Sequence, residues 1–235
     1  MAITLYSPNM TKFYLRVGDA NNQDLLFTDR SGKIKGEKTY YVRMPISPEI
    51  SFIELESDNG QVNVENIELL DLPVNYTNDL FNEPFVQSFI KFAEEFSIDA
   101  NDLEPNAVYS SDDDMYNITL QNKLYEDGEV ANTPARISKK DGMIEVAKFD
   151  FERYTLPMRM AILLHEFAHF YLNTNMTDEK EADDLSLQLY LGMGYPRIDA
   201  YNVYLDVFKN APSNLNKERY MQLKDIINKN YIEYA

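Results

Sequence analysis

The sequence predicts an α+β protein in two parts: a β-rich, sandwich-like accessory domain over residues 1–75, then a mixed domain over 76–235 that ends in extra helices. Three observations predict this. Up to about Pro73, short runs rich in β-branched and aromatic residues alternate with turn formers; from Phe85 apolar residues recur at helical spacing; and from Thr155 on, glycine and proline fall only where helices begin or end. With 44% hydrophobic and 13% aromatic residues, the 235-residue chain has apolar surface enough for a core in each part, which excludes disorder for the bulk of it.

Six strand candidates open the chain: ITLYS, KFYLRV, DLLFT, TYYVRMPI, SFIELE and VNVENIELLDL, separated by turn chemistry at Gly18-Asp19, Ser31-Gly32 and Asp58-Asn59-Gly60. Strands this short and this closely spaced suggest a small antiparallel sandwich. Arg30, Lys33, Lys35 and Lys38, interleaved with Asp29 and Glu37, read as a solvated loop. Pro73 to Pro84, with Asn75, Asn78, Asp79 and Asn82, reads as a linker or long loop. Phe85, Phe89, Phe92, Ala93 and Phe96 then mark an amphipathic helix whose phenylalanines form a core stripe. Strands are expected at Tyr116–Tyr125, Ala135–Ile137 and Met143–Phe151, the last two joined by a hairpin turn at Lys139-Lys140-Asp141-Gly142. Pro157 suits the first turn of the next helix, Gly192 and Gly194 close a helix, Pro196 follows, and Pro212 separates the last two.

Composition removes several classes of function. Cysteine is absent, so disulfides, thiolate catalysis and cysteine-ligated metals are excluded. Thirty-nine acidic against 22 basic side chains give a net charge of −17, which repels phosphate backbones and anionic lipid, so neither nucleic acid nor membrane is expected as a direct partner. No apolar run approaches a membrane span, and the first residues lack a basic stretch followed by an apolar core, so the expected location is the cytoplasm of a host cell or a virion. Asp112-Asp113-Asp114 and Asp99-Ala100-Asn101-Asp102 lack the glycine of a calcium loop and read as a solvated turn and a loop or cap.

One constellation carries chemistry. The chain has two histidines, His165 and His169, in His-Glu-Phe-Ala-His. Four residues is slightly more than one helical turn, so both imidazoles leave one face and can grip one ion, while Glu166 lies one step round, within reach of a water on that ion. Met158–Leu172 is apolar nearly all round, so the helix should be buried, and a buried carboxylate needs a cation. A metal supplies that cation; Arg159, seven residues earlier on the same face, would also supply it through a salt bridge. A catalytic zinc usually has three protein ligands and an open position. Glu179 and Asp183, four apart, suit a third ligand and an acid that orients a ligating histidine. Glu181 is the alternative ligand, although with Asp178 as N-cap it also fits a capping box.

His-Glu-x-x-His followed by Glu-x-x-x-Asp resembles the gluzincin metallopeptidases. The short spacing and the Glu-Lys-Glu-Ala-Asp run resemble the minimal-scaffold, ImmA/IrrE-like members and, locally, the Ste24/HtpX family, whose membrane segments are missing here. The likeness runs from about residue 85 to residue 195. It implies Zn2+ held by His165, His169 and Glu179, Glu166 as general base, Asp183 as the acid behind a ligand, and a peptide or protein substrate paired with the Ala135–Phe151 edge hairpin. No further histidine is present to stabilise an oxyanion, which leaves Tyr195 and Arg197, near the ligand helix, as candidates. The overall arrangement more loosely resembles uncharacterised proteins of large tailed bacteriophages. Three functions follow as expectations: zinc-dependent peptide-bond hydrolysis with an accessory docking domain; a bacteriophage virion or assembly component, partnered by phage structural proteins or copies of itself, with a structural or vestigial metal; and a regulator that cleaves or binds a repressor.

Overall fold

Alternating burial governs the N-terminal unit. In a computed structural model, which describes residues 1–44, 46, 48–70, 79–138, 141–172, 178–210 and 212–229, the odd-numbered residues Ile3, Leu5, Phe13, Leu15 and Val17 are buried along one long strand, β1 (Ala2–Asp19). Its antiparallel partner is β2 (Leu26–Tyr41), and their register slips between Ser7 and Thr11. β3 (Ser51–Ser57) pairs with the C-terminal half of β1 and β4 (Asn63–Glu68) with its N-terminal half. Phe13 meets Tyr40 with ring centroids 5.3 Å apart, yet Tyr40 pairs with Ile3, ten residues up β1 and about 33 Å away in a flat strand. The sheet is therefore folded over, so that one hydrogen-bonded sheet supplies both layers of a sandwich-like core.

The six expected strands are thus four, two of them long. Gly32, expected in a turn, lies mid-strand opposite Phe13, whose ring would sit 3.1 Å from a Cβ at that position. Arg30, Lys33, Lys35 and Lys38 accordingly stand on β2 and not in a loop. Gly18 and Asp19, expected in a turn, are the last residues of β1, and the turn follows them, with Asp19 Oδ1 accepting from the Asn21 N–H at 2.8 Å.

The chain packs as two units, Met1–Pro73 with Thr155–Pro157, and Val74–Tyr154 with Met158–Ala235. Most of the linker between Pro73 and Pro84 lies outside the described residues, as do Lys139 and Lys140 of the expected hairpin turn. In the second unit α1 (Pro84–Asp99) starts on a proline at its first position. A four-stranded sheet follows in the order β5 (Ala107–Ser110), β6 (Asn117–Gln121), β10 (Ile144–Ala147), β9 (Ala135–Ile137). β10 runs parallel to β6 and antiparallel to β9, which forms one edge. A two-residue turn at Asp127-Gly128 joins the short strands β7 (Tyr125–Glu126) and β8 (Glu129–Val130). The strand expected to run to Phe151 stops at Ala147 and turns into the one-turn helix α2 (Lys148–Phe151).

Four helices complete the unit: α3 (Leu156–Leu172), α4 (Glu179–Gly192), α5 (Arg197–Asn210) and α6 (Asn214–Lys229). The phenylalanine stripe of α1 is core, with Phe89 stacked on Phe167 of α3 at 4.3 Å between centroids and both rings against Tyr116. Helix α3 is buried on nearly every face, as its composition requires. Among the described residues, no helix is long and apolar enough to cross a membrane.

Candidate metal centre

Helix α3 delivers the two histidines as the four-residue spacing dictates: His165 Nε2 and His169 Nε2 stand 3.1 Å apart, with their rings nearly perpendicular. The third group comes from the start of α4. Asp178 caps that helix, its Oδ1 accepting from the Lys180 N–H at 3.0 Å and the Glu181 N–H at 3.1 Å. This fixes the first turn so that Glu179 faces the histidines while Glu181 faces solvent. Glu179 Oε2 is 3.4 Å from His165 Nε2, and its Oε1 is 3.6 Å from His169 Nε2. Asp183, one turn further and fully buried, places Oδ1 3.1 Å from His165 Nδ1, an ion-pair contact off the line of a good hydrogen bond.

The donor set fits a small divalent ion. A carboxylate beside Nδ1 favours a proton there, which leaves the Nε2 lone pair of His165 aimed at Glu179 and His169. When the ring is neutral, acceptors converge there and a cation fits between them. Four bonds of 2.0–2.1 Å in a tetrahedron separate ligand atoms by about 3.3 Å. The distances of 3.1, 3.4 and 3.6 Å bracket that value, and the three ligand atoms lie within 4.8 Å of one another.

The charges respond to this crowding. Burial alone would lower the pKa of His165, but the Asp183 and Glu179 carboxylates push it up to about 10. Burial works against the ionised forms of Glu179 and Asp183, yet the hydrogen-bonding and charged groups beside them hold both below the usual carboxylate range. For Glu179 these are His165, His169 and Arg219; for Asp183 they are Arg219 and His165. Glu166 goes the other way. It is 8% exposed, and burial, with Glu179 adding, raises its pKa against the pull of the two histidines and the Ile137 backbone N–H. A carboxyl tuned upward beside a group of metal donors is suited to take and return a proton.

A cavity of about 270 Å³ opens onto these groups. Thr133 to Ile137, leading into and along edge strand β9, form one wall; Ala161, Ile162, Val203 and Val207 line it with apolar surface.

Other expected residues lie elsewhere. Tyr195 donates to Glu94 Oε1 at 3.0 Å and stacks on Tyr190; neither it nor Arg197 lines the cavity. Arg159 is buried and donates to the carbonyls of Phe151, Ser97 and Glu152 and to Asn101 Oδ1. The charges acting most on Glu166 are those of the histidines and Glu179, not Arg159. Asp112 pairs with Lys91 and Asp113 accepts from Ser88 and Ser111, as in a solvated turn.

Sequence reasoning missed two cavity residues. Tyr204 of α5 shares a hydrogen bond of 2.9 Å with the Ser186 hydroxyl and turns its ring edge-on to His165. Arg219 of α6 donates to Asp183 Oδ2 from Nε at 2.7 Å and to Oδ1 from Nη2 at 2.9 Å, and Nη2 is also 3.0 Å from Glu179 Oε2. The available signal was indirect: a buried Asp183 required a cation, but no local pattern said which one. Compared with protein-family models, curated proteins and solved structures, the chain matches none of them.

Proposed function

We propose that this chain is a zinc-dependent peptidase of gluzincin type, hydrolysing a peptide bond in a strand of substrate laid along β9. The observation that supports this most is the convergence of His165, His169 and Glu179 beside a buried Glu166 at the wall of a cavity. Two imidazoles and one carboxylate are a donor set suited to a catalytic zinc, which keeps its fourth position open. A purely structural ion has no use for a proton-accepting carboxyl at its side.

When bound, zinc polarises a carbonyl and makes a water a strong nucleophile near neutral pH. Glu166 would accept a proton on its carboxylate from the attacking water and return it to the amine that leaves. Asp183 holds the His165 ring through Nδ1, so that Nε2 keeps facing the ion. β9 forms an edge of its sheet, and an edge strand can offer backbone groups to an extended substrate. Apolar side chains of α3 and α5 line part of the cavity, which would limit competing water there. In the N-terminal unit, Val64 and Ile67 of β4 and Leu69 and Leu70 beyond it are exposed, which supports a docking role for that unit.

Metal analysis of the purified chain, with a peptide-library cleavage assay on wild type and Glu166→Gln, tests the reading. One zinc per chain, cleavage by wild type, and a Glu166→Gln variant that keeps zinc but loses turnover are expected. If the variant cleaves as fast as wild type, Glu166 is not the base; if zinc is bound but no peptide is cut, the ion is structural and the virion or assembly reading gains.

A further inference from the structure

The arginine behind the candidate ligands is held far more tightly than a charge partner requires. Arg219 lies on α6, and its side chain is 10% exposed. Its Nε and Nη2 fork across both oxygens of Asp183, and Nη2 also reaches Glu179 Oε2. Nη1 donates to Asn216 Oδ1 at 3.3 Å, and the guanidinium carbon lies 4.8 Å from the centroid of the Phe208 ring. A planar cation seated on a ring with its edges engaged cannot rotate, so the carboxylates it touches are fixed with it. The two oxygens of Glu179 are thereby made unequal. Oε2 is ion-paired with Arg219 Nη2 at 3.0 Å as well as lying 3.4 Å from His165 Nε2, whereas Oε1 stands 3.6 Å from His169 Nε2.

We propose that Arg219 is a positioning residue of the metal centre: by occupying Glu179 Oε2 and both oxygens of Asp183, it makes Glu179 a ligand through Oε1 alone and keeps Asp183 aimed at His165 Nδ1. A carboxylate that offers one oxygen leaves the fourth position of the ion open; one that swings round to offer two closes it. The helix that completes the centre thus lies outside the segment carrying the histidines and the acids. This rests on the reading of the centre as a zinc site, and the test separates the two.

Zinc affinity by chelator competition and the visible spectrum of the cobalt(II) form would be measured on the full chain for wild type, Arg219→Met, Arg219→Lys and Leu223→Ala. Leu223 is a buried α6 residue, 2% exposed, in the core of the same unit, so its truncation reports the cost of a core cavity in the same helix with the Arg219 contacts kept. Arg219→Met is expected to weaken zinc binding about 10–100-fold, the usual effect of losing a group that orients a ligand. Its cobalt absorption should lose intensity as a second carboxylate oxygen enters. Arg219→Lys should recover part of the affinity but not the spectrum, because an ammonium cannot fork across two carboxylates. Leu223→Ala should lower the melting temperature and leave affinity and spectrum as in wild type. If Arg219→Met keeps both wild-type readouts, or if Leu223→Ala reproduces its losses, the proposal is overturned while the zinc site stands. A wild-type chain that binds neither ion overturns the zinc reading as well.

Discussion

Asp183 Oδ1 stands 3.1 Å from His165 Nδ1, and its carboxylate is completely buried. A buried acid on the far side of a ligating ring fixes which nitrogen holds the proton and raises the basicity of the other. Asp183→Asn keeps the shape and removes the charge, so zinc affinity should fall about 10–100-fold by chelator competition. Asp184→Asn is the control, because Asp184 accepts from Gln188 on the same helix and is remote from the rings. Equal affinity for the two variants would show that Asp183 serves only to balance Arg219.

The cap orients Glu179 and Glu181 differently, and this bears on which of them would serve as the third ligand. With Asp178 accepting from the N–H groups of both Lys180 and Glu181, α4 cannot roll to exchange the two acids. Glu179→Gln should lower zinc occupancy sharply in metal analysis, whereas Glu181→Gln should leave it at one per chain. Loss of zinc from Glu181→Gln with retention in Glu179→Gln would reverse the assignment.

What was legible in the chain was what local geometry controls. His165 and His169 sit four apart on one helix, with Glu166 one step round, and Glu179 and Asp183 sit four apart on the next, so spacing alone placed each pair on a face. Arg219 meets Asp183 across 36 residues through the packing of two helices, which spacing does not encode. The expectation for Arg159 failed for a directional reason. Side chains on a helix lean toward its N-terminus, so Arg159 reaches back to carbonyls at Ser97 and Phe151, away from Glu166 two turns ahead. In the first unit the α+β division held, but Gly32 served both as a turn signal and as room for a ring, and only packing distinguishes these.

The centre depends on α3 being held against α1 by aromatic packing. Phe89 is fully buried and stacks on Phe167, the residue that follows Glu166. Phe89→Ala should cost about 3–5 kcal/mol of unfolding free energy, read from the urea midpoint of the metal-free chain. A loss below about 1 kcal/mol would mean that the neighbouring rings collapse into the gap.

Metal uptake should carry a proton signature. In the folded, metal-free chain burial would lower the pKa of His165, but Asp183 and Glu179 outweigh it and raise the pKa to about 10, against about 6.5 for a free imidazole. Because the folded value is the higher one, the extra proton stabilises the metal-free fold fully below about pH 6.5 and is lost as pH rises toward 10. A cationic imidazole cannot coordinate, so binding must expel that proton. Zinc titrations at pH 8, in buffers of different ionisation heat, should show about one proton released per ion, and apparent affinity should rise about tenfold per pH unit up to pH 9. A free histidine would already be neutral at pH 8 and would release almost none. A release near zero would therefore show that the two carboxylates do not hold His165 in its charged form, and would leave Arg219 as the cation that balances them.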